Sequence, residues 1–175
     1  MIVANHQPQY LPYLGFFHKI RRCDHLVILD DVQFLDRGHQ HRNQIKMQTG
    51  TQWLTVPVLR KRGQLIHDVM IDPTASWKHK HWAALVSNYS PAPFWKQLSP
   101  QLHAILVEQT FTHLLPLDLA LLRWIMSVLE IDIPITLSSS LGVTSQSASE
   151  HHIGICRAVG ADTYLSGAGG RAYMD

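Results

Sequence analysis

Cysteine is nearly absent: Cys23 and Cys156 are the only two in 175 residues. They stand far apart without metal-ligand spacing, which excludes a disulfide-stapled scaffold and a cysteine-ligated zinc site and leaves two reduced thiols. Net charge is also small. Fifteen Lys and Arg against 13 Asp and Glu give a net charge of +2, too little for the basic footprint of a nucleic-acid binder. No apolar run is long enough to span a bilayer. The start shows no basic region, apolar stretch and small-residue cleavage site in the order of a secretory signal, so a cytoplasmic chain without membrane insertion is expected. What remains is an ordinary apolar share, 46%, ample for the core of a single domain over 1–175. Histidine is the one abundance, with 12 residues.

The most informative stretch is the first. Ile2 to Ala4 read as a short buried strand that Pro8 stops, because proline donates nothing to a sheet ladder. Asn5, His6 and Gln7 then fall at its carboxyl end. Pro12 suits the first turn of a following helix, whose buried face is Tyr13, Phe16, Phe17 and Ile20. Strand ends that run into helix starts are where open α/β sheets bind ligands, and helix N-termini favour anions. His25 to Leu29 suit a second buried parallel strand ending in Asp30-Asp31. On one strand these acids point to opposite faces, so at most one enters a site, holding a metal ion or a ribose hydroxyl; a solvated turn is the other reading.

Residues 36 to 47 are polar and basic. If helical, Arg42 and Lys46 share a face and grip an anion, a bidentate fork beside a point charge; otherwise they decorate a solvated loop. His39-x-His41 and His79-x-His81 have the wrong step for two ligands on a helix, no metal site is expected, and surface histidines are the reading. Trp53 to Val58 read as a strand with Leu65 to Ile71 as its hairpin partner across the Arg60–Gly63 loop. From 76 to 130 the period becomes helical, giving a lobe with faces Trp82, Leu85, Val86, Tyr89 and Leu117, Leu121, Leu122, Ile125, Leu129, broken at Ser90-Pro-Ala-Pro. Trp77 and Trp95 read as packing or as the lining of a cleft. Ile133 to Leu137 return to strand character before Ser138-Ser139-Ser140. Ser147-Ala-Ser-Glu150 is a capping box, opening a helix at Ala148 that stops at Gly160 and faces Ile153, Cys156 and Val159 inward. Asp162 to Leu165 form the last strand, and Ser166-Gly167-Ala-Gly169-Gly170 a loop whose glycines let backbone approach a ligand.

Five strings in order, His6-Gln-Pro-Gln-Tyr10-Leu-Pro-Tyr-Leu-Gly15, Leu29-Asp-Asp-Val-Gln33-Phe34, Arg42-Asn43-Gln-Ile-Lys46, Trp53-Leu-Thr-Val-Pro57 and Tyr164-Leu-Ser166-Gly167-Ala-Gly169, resemble the WbqC-like family of bacterial proteins. The resemblance spans nearly the whole chain. Its members often lie among genes for surface polysaccharide and nucleotide-sugar biosynthesis, and it implies acyl or aminoacyl transfer to an amino sugar. It adds Tyr10, Lys19, Gln33 and Asn43 to the residues expected on substrate, names no cofactor, and implies an element beyond Asp175 that this chain lacks.

Together these readings give an α/β fold, a Rossmann-like, mainly parallel sheet with helices on both faces and an inserted helical lobe over 76–130. The expected enzyme acts on a small, phosphate-bearing molecule. His6 is its general base, Arg42 and Lys46 hold phosphate or carboxylate, and Ser166 with the Gly167 backbone steadies the substrate. The alternatives are a carboxylate-adenylating enzyme with Asp30 or Asp31 on magnesium, and a non-catalytic nucleotide or sugar-binding module.

Overall fold

The computed structural model describes residues 1–145 and 147–167. The strands are β1 (Ile2–His6), β2 (His25–Ile28), β3 (Arg42–Lys46), β4 (Thr51–Thr55), β5 (Val58–Leu59), β6 (Met70–Ile71), β7 (Ile135–Leu137) and β8 (Thr163–Tyr164). The helices are α1 (Leu14–Ile20), α2 (Lys78–Tyr89), α3 (Trp95–His103), α4 (Leu114–Val128) and α5 (Ala148–Val159). They fall into two compact units. The first takes Met1–Pro8, Tyr13–Val32 and the chain from Met126; the second takes Gln9–Pro12 and Gln33–Ile125.

The first unit is a four-stranded parallel sheet in the order β7-β2-β1-β8. Its central strands are apolar because both faces are covered. Val3, Val27, Leu29 and Ile155 form one buried cluster with Val143, Cys156, Val159 and Tyr164 packed on it, which seats α5 on the Val3 face. On the opposite face Phe16 of α1 meets His6, ring centroids 4.9 Å apart. Helices thus lie on both sides. The chain steps from β1 to β2 to β7 in one direction and then returns past β1 to β8, so the order reverses at β1, where such sheets open a crevice beyond their carboxyl ends.

Several sequence expectations shift. β1 runs on to His6, and α1 begins at Leu14 instead of at Pro12, with Tyr13 as its N-cap and 61% exposed. Leu11 takes a left-handed φ of 47°, which no helix start accommodates. In α5 the Ser147 cap, accepting from the Glu150 N–H, and the Gly160 stop, with φ 72°, stand as read. On its inner face Cys156 and Val159 pack on the sheet cluster as read, with His152 and Ile155 buried beside them, while Ile153 is 50% exposed.

In the second unit the polar segment around Arg42 is neither helix nor loop. It forms β3, paired antiparallel with β4 across a turn in which Gly50 has φ 80°. Trp53 therefore pairs backwards with Gln44, and only the two-residue β5 and β6 meet in the hairpin expected downstream. The helical stretch begins at α2 and breaks after Tyr89 as read, but α2 buries His81 and Leu85, not Trp82 or Tyr89. Trp82 stacks on Trp95 at 5.5 Å. In α4, Leu114, Leu117, Leu121 and Leu122 are buried, and so is Asp118.

Candidate functional site

A strand's alternation dictates what the carboxyl end of β1 can do. His6 and Asn5 leave it on opposite faces. Gln7 O, a carbonyl that can only accept, lies 2.8 Å from His6 Nδ1, so Nδ1 carries the proton and Nε2 keeps the lone pair. Burial, reinforced by the nearby Lys19 charge, lowers the His6 pKa from 6.5 to about 4. Lys19 Nζ donates to Asn5 O at 3.0 Å, and burial brings its own pKa down to about 8. The α1 face of the strand end thus holds a neutral imidazole acceptor beside an ammonium that loses its proton readily.

On the α5 face, Asn5 is buried and both polar atoms of its amide are paired. Nδ2 lies 2.8 Å from His152 Nδ1, Oδ1 accepts from the Tyr164 hydroxyl at 2.7 Å, and the His152 ring stacks on Tyr164 at 5.0 Å. A buried amide left unpaired costs about 1–3 kcal/mol, which this network avoids. Burial, with the charges of His151 and Lys19, lowers the His152 pKa.

Asp30 and Asp31 do not part as a strand would make them, because β2 ends at Ile28. Ser138 Oγ contacts both Asp31 Oδ1 and Asp30 Oδ1, while Asp30 also accepts from Ser139 N at 3.0 Å and Ser139 Oγ at 2.7 Å. The serine cluster after β7 is therefore the partner of the acid pair after β2. A cleft of about 680 Å³ opens here, lined by Gln7, Asp31, His151, His152 and apolar Leu29 and Val143. Ser166 Oγ donates to Gly167 O at 2.9 Å, and a Cβ on Gly167 would meet nothing within 4 Å among the described residues. Gly169 lies outside the described residues.

The remaining expected residues belong to the second unit. Tyr10 is fully buried, its hydroxyl 2.9 Å from His81 Nδ1. Asn43 Nδ2 donates to Tyr10 O and Leu11 O at 3.2 and 2.8 Å, and Gln33 bridges to Leu65. Arg42 and Lys46 do share a face, because a step of four returns to the same side of a strand as well. The Arg42 guanidinium lies 4.5 Å from the Trp53 ring centre and donates to Arg37 O at 2.9 Å; Lys46 is exposed.

Two of the four histidines read as surface residues are buried. His41 packs on Phe34 and His81 on Tyr10 and Trp77. Burial lowers the His81 pKa to about 4, and His41 moves the same way from burial and then from Arg42. Among the described residues no three His, Cys, Asp or Glu side chains are grouped to hold a metal ion, and no helix is long and apolar enough to cross a membrane.

Sequence reasoning missed His152, His81 and Asp118. His152 was legible in principle, since it lies three, four and seven positions before Ile155, Cys156 and Val159, on the stripe that faces the sheet. Asp118 gave no signal beyond a lone acid in an apolar helix. Neither of its carboxyl oxygens has a hydrogen-bond partner among the described residues, and burial raises its pKa well above the carboxylate range.

The WbqC-like protein family matches residues 7–175, beginning one position after His6. The uncharacterized protein Rv1507c of Mycobacterium tuberculosis is 35% identical over 175 residues, covering 99% of this chain and 75% of that protein. No solved structure matches.

Proposed function

The chain belongs to the WbqC-like protein family, and on that premise we propose that it is an enzyme of nucleotide-sugar or surface-polysaccharide biosynthesis that transfers an acyl or aminoacyl group to the amine of a sugar. The observation that carries this reading is the fixed state of His6: Nδ1–H held on Gln7 O, Nε2 unprotonated at neutral pH, next to Lys19. The amine nitrogen attacks the carbonyl carbon of an activated acyl donor, and the carbonyl π electrons move to oxygen. His6 Nε2 takes the proton that the nitrogen loses as the C–N bond forms. Collapse of the intermediate expels the donor's leaving group, which recovers that proton from the imidazolium.

An imidazole with a pKa near 4 is a weak base at rest, but a bound phosphate or carboxylate would raise it towards neutrality. Lys19, in its charged form, would hold such an anion near the strand end. Within the second unit, Arg42 and Lys46 share a strand face and would bind an anion there. For magnesium-dependent adenylation Asp31 would be the metal-facing acid, because both Asp30 oxygens already accept from Ser139.

The test is a transfer assay by mass spectrometry on amino-sugar nucleotides with acyl donors such as thioesters. His6→Ala should lower turnover by about 10²–10⁴-fold, the usual range for a general base, in a chain that still folds cooperatively. Equal loss of activity and of melting temperature would make His6 a core residue.

A further inference from the structure

Asn5, His152 and Tyr164 come from β1, α5 and β8, and their contacts fix where one proton sits. Asn5 Oδ1 accepts from the Tyr164 hydroxyl, so its Nδ2 faces His152, and an amide nitrogen only donates. His152 Nδ1 is therefore the acceptor and Nε2 bears the hydrogen. In this state Nε2 can neither ligate a metal nor take a proton; it can only donate. His152 is 8% exposed, and Nε2–H meets no acceptor among the described residues.

The ring borders the cleft of about 680 Å³. The same cleft takes in Asp31, whose Oδ1 is engaged by Ser138 while Oδ2 has no hydrogen bond among the described residues. Leu29, Val32 and Val143 give it an apolar wall. The Asp31 charge disfavours a phosphate here. A neutral N–H donor, a carboxylate acceptor and an apolar wall together complement a sugar ring, whose hydroxyls both accept and donate and whose C–H face is apolar.

The geometry points to this cleft as the seat of a sugar ring, one oxygen accepting from His152 Nε2–H and a neighbouring hydroxyl donating to Asp31. This rests on the reading of the protein as acting on a sugar, and it adds where that sugar sits and which unassigned side chain reads it.

Binding without any acyl donor tests it. Nucleotide sugars carrying glucose, galactose, mannose and N-acetylglucosamine are titrated against UDP and GDP as sugar-free controls. At least one should bind more tightly than its own nucleotide. His152→Asn keeps an oxygen near Nδ1 to accept from Asn5 but removes the Nε2 donor, so it should erode that advantage by about tenfold, the worth of one hydrogen bond. Asp31→Asn should do the same, whereas His152→Gln, with an amide near Nε2, should retain most of it. In ¹⁵N-histidine spectra of the unaltered protein the Nε2–H signal of His152 should move when the sugar binds.

No gain over the bare nucleotide for any sugar overturns the proposal. So does wild-type affinity in both His152→Asn and Asp31→Asn, or an Nε2 that is unprotonated and indifferent to ligand. Sugar binding of the expected pattern without any acyl transfer would leave this site standing and sink the transferase reading.

Discussion

At the residue scale, three ionisable groups set opposing pH dependences, half-buried His6 and buried His81 and Asp118. His6 and His81 are held near pKa 4 in the folded chain, chiefly by burial, against 6.5 unfolded. As pH falls through 6.5 the unfolded chain takes up protons first, so their contribution is full above that value and is lost progressively down to about 4. The loss is at most about 3 kcal/mol for each. Urea midpoints at pH 7 and 4.5 should converge in His6→Gln relative to wild type; identical pH slopes would mean that His6 titrates normally. Asp118 acts the other way. Its folded pKa lies above the unfolded one, so it is stabilising only where the unfolded acid is also protonated, and stability drains as pH rises above about 3.8. Asp118→Leu, which removes a buried acid with no partner among the described residues, should therefore stabilise the chain at pH 7 by about 1–3 kcal/mol. A destabilised Asp118→Leu would show that the carboxyl group is satisfied in solution.

At the element scale, legibility followed locality. Helix α5 could be read from sequence because its signals are its own: Ser147 caps the Glu150 N–H, and Gly160 supplies a positive φ that a side chain resists. Strand β3 could not, because half of its inward face is polar and makes sense only in three dimensions. Asn43 turns inward to donate to Tyr10 O and Leu11 O, carbonyls 33 and 32 positions away. No periodicity rule encodes such a partner. The contact of both acids after β2 with one side chain is illegible for a related reason, since Ser138 lies 108 and 107 positions downstream of Asp30 and Asp31. Asn43→Ala leaves two buried carbonyls without this donor and should cost about 1–3 kcal/mol, with a fall in melting temperature and no change in the denaturant slope. A neutral Asn43→Ala would mean that water replaces the amide.

At the scale of the whole molecule, the α/β class, a parallel sheet and a helical stretch in mid-chain were legible, because buried strands and amphipathic helices announce themselves by period and length. The division into two units was not. The second unit takes in Gln9–Pro12 from a motif whose flanks belong to the first, and Leu11 there has a φ of 47° that its side chain gives no hint of. The same division orders events on the ribosome. The second unit is complete once Ile125 has emerged, whereas β1 waits for β8, Asn5 being 159 positions from the Tyr164 that satisfies it. At roughly 5–20 residues per second, the stretch from 126 to 164 takes a few seconds to synthesise. For that interval the nascent chain carries a finished C-proximal body behind an N-terminal strand whose outer edge and amide are still open.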